Sequence, residues 1–185
     1  MQTMSARQQG FTLIELVIVV IILGLLAATA LPRFINVTTQ AEDASVEGTA
    51  GGFASAVGLV RAQWEVSGRP NENVAATRTQ VLYDNVNIGV DGTLGYPSGD
   101  PLNSTLATAV SATDCLFLIQ NLFQGSVNAA VAFNTNNLFY VRAEDNQCFY
   151  HQTKGLAAAP TDTTGNNGFS YNPVNGQVTS FLNKV

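Results

Sequence analysis

Charged residues are scarce in this sequence of 185 residues. They make up 11% of the chain, against about 25% in a typical soluble domain, and only eight are lysine or arginine. The formal net charge is −5 and the sequence pI is about 4.6. Proteins bind DNA and RNA through clustered positive charge, and this sequence has no basic cluster. We therefore expect no nucleic acid to be bound by an evident site.

Cysteine and histidine are also scarce, with two cysteines and one histidine. Cys115 and Cys148 lie far apart in the sequence, so neither a redox motif nor a zinc ligand set can be recognised. We interpret His151 as an ordinary surface or edge histidine, because no nucleophile can be assigned to it. The sequence therefore predicts no catalytic residue, no cofactor, no metal and no enzymatic activity. It predicts one disulfide between Cys115 and Cys148, formed in an oxidising compartment.

Apolar residues make up 46% of the chain. Their excess is concentrated in residues 11–31. As an α-helix rising 1.5 Å per residue, this segment crosses the roughly 30 Å hydrocarbon core of a membrane. A polar leader, residues 1–10, precedes it and carries Arg7, which predicts that the N-terminus stays in the cytoplasm. Ala28-Thr29-Ala30 also resembles a conventional signal cleavage site. The apolar run exceeds the roughly 7–15 residues of a normal signal core, so we favour an anchor.

Glu15 is the one ionisable residue inside the apolar run. A carboxylate near the middle of a spanning helix costs roughly 2.5–3.5 kcal/mol, and less near its end, so it usually has a partner. Two interpretations stay open. The side chain reaches the membrane interface, or the chain is cut between Gly10 and Phe11 and Glu15 pairs with the new α-amino group. The helix N-terminus also favours a negative charge at this position.

Residues 9–16 read QGFTLIEL and are followed by VIVVIILGLLAATALP. This segment resembles the class III signal of type IV pilins and of the pseudopilins of type II secretion, over about the first 60 residues. The resemblance implies that a prepilin peptidase cleaves after Gly10 and methylates the new N-terminal Phe11, as in the type IVa subclass. It implies that Glu15 pairs with the N-terminal amine of a neighbouring subunit. It also implies that Gly24 and Pro32 lie in a helix segment that loosens in the filament, for which both residue types supply a local cause.

A second apolar pattern extends the helix to about residue 66. Its members recur at spacings of three and four residues and are Val46, Ala50, Phe53, Val57, Val60 and Trp64. We predict that this stripe packs on a sheet and that residues 67–70 stop the helix. The predicted organisation is a cleaved leader at 1–10, a membrane and filament-core helix at 11–32, an amphipathic half at 33–66 and a globular head at 67–185.

The head is rich in short apolar runs separated by turn residues. We predict a strand at 81–89, a turn-rich connector at 95–101 and a helix at 112–124 that Thr113 caps and Gly125 ends. Two hairpins follow, from strands at 138–142 with 148–152 and at 169–172 with 177–182. The predicted fold class is α+β, the pilin fold. Its long N-terminal helix has a protruding hydrophobic half and packs on a mainly antiparallel four-stranded sheet, with one disulfide joining the second helix to the sheet.

The resemblance implies a structural subunit of a type IV pilus that polymerises with itself through its N-terminal helix. Implied partners are the prepilin peptidase, the pilus assembly platform, minor pilins and the inner membrane. The implied location is first that membrane and then a surface filament of a Gram-negative type bacterium. Residues 95–97 (GYP) and the ending at Phe169, Tyr171, Pro173 and Gly176 are most similar to the mannose-sensitive haemagglutinin group. This favours adhesion, through a host or surface glycan receptor, and possible motility.

Two alternatives stay open. In the first, the chain is a type II secretion pseudopilin, and calcium bound near Asp91, Asp100 and Asp162 would support this alternative. Otherwise it is a monomeric, membrane-anchored periplasmic binding protein, which would keep an unprocessed or conventionally processed N-terminus.

Overall fold

The computed structural model describes residues 11–184, apart from the side chains of residues 34–36. The chain divides into two compact units, one ending at Glu42 and the other beginning at Asp43. The predicted α+β class and single disulfide are confirmed, whereas the predicted division into a leader, a filament-core helix, an amphipathic half and a head stays a prediction. The helices and strands are α1 (Leu13–Val66), β1 (Thr79–Tyr83), β2 (Val86–Val90), β3 (Pro97–Gly99), α2 (Ala112–Asn121), β4 (Ala129–Ala130), β5 (Phe139–Glu144), β6 (Gln147–Gln152), β7 (Asn167–Asn172) and β8 (Gln177–Leu182).

The N-terminal part of α1 forms the described portion of the first unit. Its large apolar side chains are exposed to solvent, from Leu13 at 80% to Leu31 at 64%. By length and composition alone, this part of α1 is sufficient to cross a membrane. The helix continues without interruption through Gly24 and Pro32.

In the second unit, α1 packs its predicted apolar stripe against the core of the head. All six residues of the stripe are buried: Val46, Ala50, Phe53, Val57, Val60 and Trp64. Phe53 lies at the centre, with its ring centroid 5.2–5.5 Å from those of Tyr150, Phe169 and Tyr171. Past Val66, Gly68 adopts a φ of +85° and the N–H of Arg69 donates to the carbonyl of Trp64. The predicted stripe and helix stop are therefore confirmed.

The main sheet has five strands in the order β4-β5-β6-β7-β8. Strands β5 to β8 are antiparallel neighbours, which confirms both predicted hairpins. The predicted count of four is wrong by one, because Ala129 and Ala130 pair in parallel with β5 as a short edge strand. Two alanines carry no alternating pattern, so this strand exists only through its neighbour.

The predicted single strand at 81–89 is wrong, because the segment forms a hairpin of β1 and β2. Tyr83 pairs with Val86, and the loop residues Asp84 and Asn85 have φ of 46° and 64°. Two consecutive positive φ values are typical of a type I′ turn, which Asp and Asn tolerate better than most residues. The predicted connector at 95–101 contributes β3, which completes a separate three-stranded sheet.

Helix α2 begins and ends differently from the prediction. Ser111, rather than Thr113, is its N-cap and forms a reciprocal capping box with Asp114. The helix ends at Asn121, with Leu122 as C-cap, and so stops before residue 124 and Gly125. Asp114 also accepts hydrogen bonds from the backbone of Asp100 and the side chain of Asn103, which favours the earlier cap because it satisfies a buried carboxylate.

Candidate processing and assembly segment

The N-terminus of α1 is closed by a reciprocal pair of hydrogen bonds between Thr12 and Glu15. The Thr12 backbone N–H donates to Glu15 Oε2 at 2.9 Å, and the Glu15 N–H donates to Thr12 Oγ1 at 3.3 Å. The Thr12 hydroxyl also donates to Glu15 Oε2, at 2.8 Å. This is a capping box, which satisfies backbone donors that a helix N-terminus otherwise leaves unpaired. The Thr-x-x-Glu spacing is visible in the sequence, and it identifies Thr12 as a partner that our sequence reasoning missed.

The residues next to the predicted cleavage point lie at the edge of the described chain. Phe11 is 93% exposed and precedes the first residue of α1. Gly10 lies outside the described residues, so its predicted role in cleavage stays a prediction, as does methylation of Phe11.

Glu15 stands alone as a charge on an apolar surface. Its neighbours Ile14 and Leu16 are 66% and 64% exposed, and the apolar run continues to Leu31. Both hydrogen bonds from Thr12 end on the same carboxylate oxygen, Oε2. A carboxylate can accept several hydrogen bonds on two oxygens, so this side chain can hold Thr12 and bind a cation at the same time.

Gly24 and Pro32 both lie inside α1. A Cβ built on Gly24 would meet nothing within 4 Å, so no contact among the described residues requires a glycine there. Proline at position 32 removes one helical hydrogen bond, and glycine lowers helix propensity. Their loosening in a filament stays a prediction.

Cys115 and Cys148 form the predicted disulfide, with their Cα atoms 5.4 Å apart. The bond joins α2 to β6, and both cysteines are fully buried. It lies under the sheet within the hydrophobic core, next to Tyr150, whose hydroxyl donates to the carbonyl of Cys115. Its place in the core indicates a structural role.

The interpretation of His151 as a surface or edge histidine is wrong. His151 is fully buried, and β6 is the central strand of the five-stranded sheet. Its Nδ1 lies 2.7 Å from Asn166 Oδ1, and Arg142 Nε donates to its Nε2 at 2.9 Å. These partners fix a neutral ring with the proton on Nδ1, because Nε2 must accept from arginine. Burial lowers the pKa of His151, the bond to Asn166 raises it, and the Arg142 charge lowers it further, with a net downward shift.

The acidic residues considered as calcium ligands have other hydrogen-bond partners. Asp91 accepts bonds from Thr93, Leu94 and Ala107. Burial raises the pKa of Asp91, but these bonds outweigh it and the net shift is downward. Asp100 accepts from the N–H of Leu102, and Asp162 from that of Thr164. Within residues 11–184, no group of three or more His, Cys, Asp or Glu side chains is arranged to hold a metal ion.

Comparison with known proteins gives matches to the N-terminal segment. Residues 5–31 match the family model of the prokaryotic N-terminal methylation motif. The type IV narrow pilus major component PilA5 of Thermus thermophilus is 49% identical over 57 residues, which is 31% of this chain and 49% of that protein. The type IV major fimbrial protein FimA of Dichelobacter nodosus is 43% identical over 54 residues, 29% of this chain and 35% of FimA. The type IV major pilin protein PilE1 of Neisseria gonorrhoeae is 48% identical over 54 residues, 29% of this chain and 33% of PilE1.

The chain therefore spans half or less of the length of these curated relatives. No solved structure is significantly similar to it. The finer resemblance to the mannose-sensitive haemagglutinin group stays a prediction. The N-terminal segment of this chain carries the prokaryotic N-terminal methylation motif and is homologous to the N-terminal segments of type IV pilins.

Proposed function

We propose that this protein is a structural subunit of a type IV pilus, anchored in the inner membrane by α1 and then polymerised through α1 into a surface filament. One observation carries the proposal: a methylation motif leads into an exposed apolar segment of α1, up to Leu31, that bears a single carboxylate, Glu15. Such a surface is stable only in lipid or against other apolar helices. Lipid suits the stored precursor, and neighbouring helices suit the filament.

Cleavage between Gly10 and Phe11 gives each subunit a positive α-amino group close in sequence to Glu15. In an apolar bundle of such helices, a staggered neighbour satisfies both charges, whereas an unpaired charge is strongly disfavoured. The capping box with Thr12 supports this role, because it holds the carboxylate at the helix N-terminus before a neighbour arrives. The pairing of Glu15 with the α-amino group of a neighbour thus fixes the axial position of the next subunit in the filament.

The remaining partners follow from this role. A prepilin peptidase removes residues 1–10 and methylates Phe11, and the assembly platform and minor pilins incorporate the subunit. The head, held by its own core and disulfide, forms the outer part of the filament and carries adhesion to a surface or host glycan. The role is structural, and we infer no enzymatic activity.

The decisive experiment is intact-mass analysis, with N-terminal fragmentation, of the protein sheared from the surface of its native cells. We expect a chain that begins at methylated Phe11, contains one disulfide and is abundant in the sheared fraction. A processed chain confined to the membrane fraction would instead indicate a type II secretion pseudopilin or a minor pilin. An intact Met1, or cleavage after Ala30, would overturn the filament role and favour a monomeric anchored protein.

A further inference from the structure

The chain contains two Asn-Gly pairs, Asn167-Gly168 and Asn175-Gly176. In such a pair the backbone nitrogen of glycine can attack the side-chain amide of asparagine, because glycine has no Cβ to obstruct the approach. Asparagine is for this reason one of the thermolabile residues of proteins. The structure places the two pairs in opposite environments, and this difference decides which of them can react.

The first pair is buried in the head. Asn167 is 1% exposed, its Nδ2 donates to Asp43 Oδ1 at 2.7 Å and its Oδ1 accepts from the Lys184 N–H at 2.9 Å. Gly168 lies in β7, which has β6 on one side and β8 on the other. Amide groups of such a central strand become accessible only when the sheet opens, which costs much of the free energy of unfolding. The fold therefore protects both reacting groups of this pair.

The second pair lies in the loop that joins β7 to β8. Asn175 is exposed, and its side chain forms hydrogen bonds with Gln177, two residues further along the chain. The Gly176 N–H donates to the carbonyl of Asn172 at 2.9 Å, a bond that closes the loop itself. Loops open locally at a far lower free-energy cost than central strands. A base in the solvent can therefore reach the Gly176 nitrogen while the head stays folded.

The loop requires glycine at position 176. Gly176 has a φ of +72°, a backbone conformation that glycine adopts without steric cost. A Cβ at this position would also clash with Cε1 of Tyr96. The turn thus depends on the residue that makes its neighbour Asn175 reactive.

We propose that Asn175 is a site of spontaneous deamidation in the folded head, whereas Asn167 is protected. The Gly176 nitrogen loses its proton to a solvent base and attacks Cγ of Asn175, forming a new C–N bond. The Gln177 N–H donates to Asn175 Oδ1 at 2.9 Å, so it stabilises the negative charge that develops on this oxygen.

The Cγ–Nδ2 bond then breaks, and the nitrogen leaves as ammonia after taking a proton from solvent. The product is a cyclic imide between Asn175 and Gly176. Water opens this imide at either carbonyl, which gives aspartate or isoaspartate at position 175. Each modified head gains one negative charge at the exposed end of the hairpin.

Peptide mapping by mass spectrometry of the full-length protein, kept folded in a non-ionic detergent at mildly alkaline pH, tests the proposal. Asn167 is the matched internal control, because it also precedes glycine and experiences the same solution. The peptide that contains Asn175 should gain the mass of an amide-to-acid conversion and include isoaspartate, severalfold faster than the peptide that contains Asn167. Equal rates at the two sites, or no product at Asn175, would overturn the proposal.

The same incubation in urea, with the disulfide reduced, separates the effect of the fold from that of the local sequence. Unfolding exposes both pairs, so the two rates should converge, mainly through acceleration at Asn167. Asn175→Gln should abolish the product at position 175 in the folded protein and leave Asn167 unchanged, because the longer side chain disfavours ring closure. A difference between the two sites that persists in urea would contradict protection by burial.

Discussion

At the residue scale, the chain satisfies two ionisable groups in apolar surroundings by different means. The carboxylate of Glu15 accepts hydrogen bonds from Thr12, three residues earlier in the chain. His151 is satisfied by residues far from it in sequence, Arg142 and Asn166. The hydrogen bonds from Thr12 leave the carboxylate of Glu15 able to bind another partner. The hydrogen bonds of His151 occupy both ring nitrogens of a buried imidazole. The first suits assembly and the second suits stability of the head.

Replacing Glu15 with valine should leave processing intact but abolish fibre assembly. Loss of one partner from a buried charge pair costs about 3–5 kcal/mol, because the other charge stays buried and unpaired. The measurement is the amount of the protein in the sheared surface fraction, together with its intact mass in the membrane. Wild-type fibre yield in the Glu15→Val strain would contradict the charge-pair role.

Gly10→Val is the matched control for processing. A branched side chain at the predicted cleavage point should block the peptidase, so the membrane fraction should contain a precursor that retains the leader. A mature-sized product from Gly10→Val would show that cleavage occurs elsewhere.

The stability of the head should fall as the pH drops below about 6.5, the ordinary pKa of histidine. Because burial lowers the pKa of His151 in the folded state, the unfolded chain takes up a proton first, and folding is penalised. The full stability is present above that pH and is lost as the pH falls towards the folded pKa. Protonation also makes Nε2 a donor, which removes the bond from Arg142 and opposes two cations, while Asp162 partly offsets the charge.

Thermal unfolding of the full chain in a non-ionic detergent, followed by near-ultraviolet circular dichroism, measures this effect. His151→Gln should flatten the dependence of Tm on pH between about pH 5 and 7, because the chain has one histidine. An equal slope in the wild type and in the variant would assign the dependence to other groups.

At the element scale, the part of α1 in the head packs its apolar stripe in the core, although its glycines lower its helix propensity. Its buried stripe is anchored by Phe53, yet Gly48, Gly51 and Gly58 lie in the helix with no neighbour within 4 Å of a built Cβ. Gly52 differs, since its Cβ would lie 3.0 Å from Cε1 of Phe123. The helix therefore depends on tertiary packing for its stability in this region.

Gly48→Ala and Gly58→Ala should each stabilise the head by up to about 1 kcal/mol, because alanine reduces the entropy of the unfolded chain. Gly52→Ala is the control and should gain less, since the Phe123 ring must shift to admit the new methyl group. Urea unfolding of the full chain in detergent measures these free energies of unfolding. A Gly52→Ala gain equal to the other two would contradict the role assigned to local space.

At the scale of the whole molecule, the chain joins a unit that exposes its apolar side chains to a unit that buries them. The first unit has apolar residues on its surface from Leu13 onward, while the second encloses Phe53, Tyr150 and Phe169. The disulfide belongs entirely to the second unit and closes a loop between residues 33 positions apart. Stability of the head and insertion of the anchor should therefore respond to different mutations.

Replacing both Cys115 and Cys148 with alanine should lower the free energy of unfolding of the head by about 3–4 kcal/mol in the chain-entropy account. The same variant should remain in the membrane fraction, because the anchor lies outside the closed loop. Urea unfolding and membrane fractionation measure the two properties. Unchanged head stability, or release of the variant from the membrane, would contradict this division of roles.

Much of the fold was predictable because its signals are local or periodic. Consecutive residues indicate the apolar run and the hairpins of β5 to β8. Residues spaced three and four apart indicate the stripe centred on Phe53. The positions of Phe11 and Glu15 likewise follow from one short motif. The errors arose where two short signals merged, as at Asp84 and Asn85, or where a strand had no pattern of its own, as at Ala129 and Ala130.

The sequence by itself determined the apolar N-terminal segment, the methylation motif and the α+β class, because each depends on composition or on local pattern along the chain. It also determined the Cys115–Cys148 pairing, because two cysteines allow one pairing within the chain. Only the tertiary structure decided that His151 is buried and that β8 lies at an edge of its sheet. Burial and edge position depend on which strands lie on either side, and that order is set by packing between distant segments. The residues of a strand do not specify which strands pair with it, so the same short pattern occurs in central strands and in edge strands.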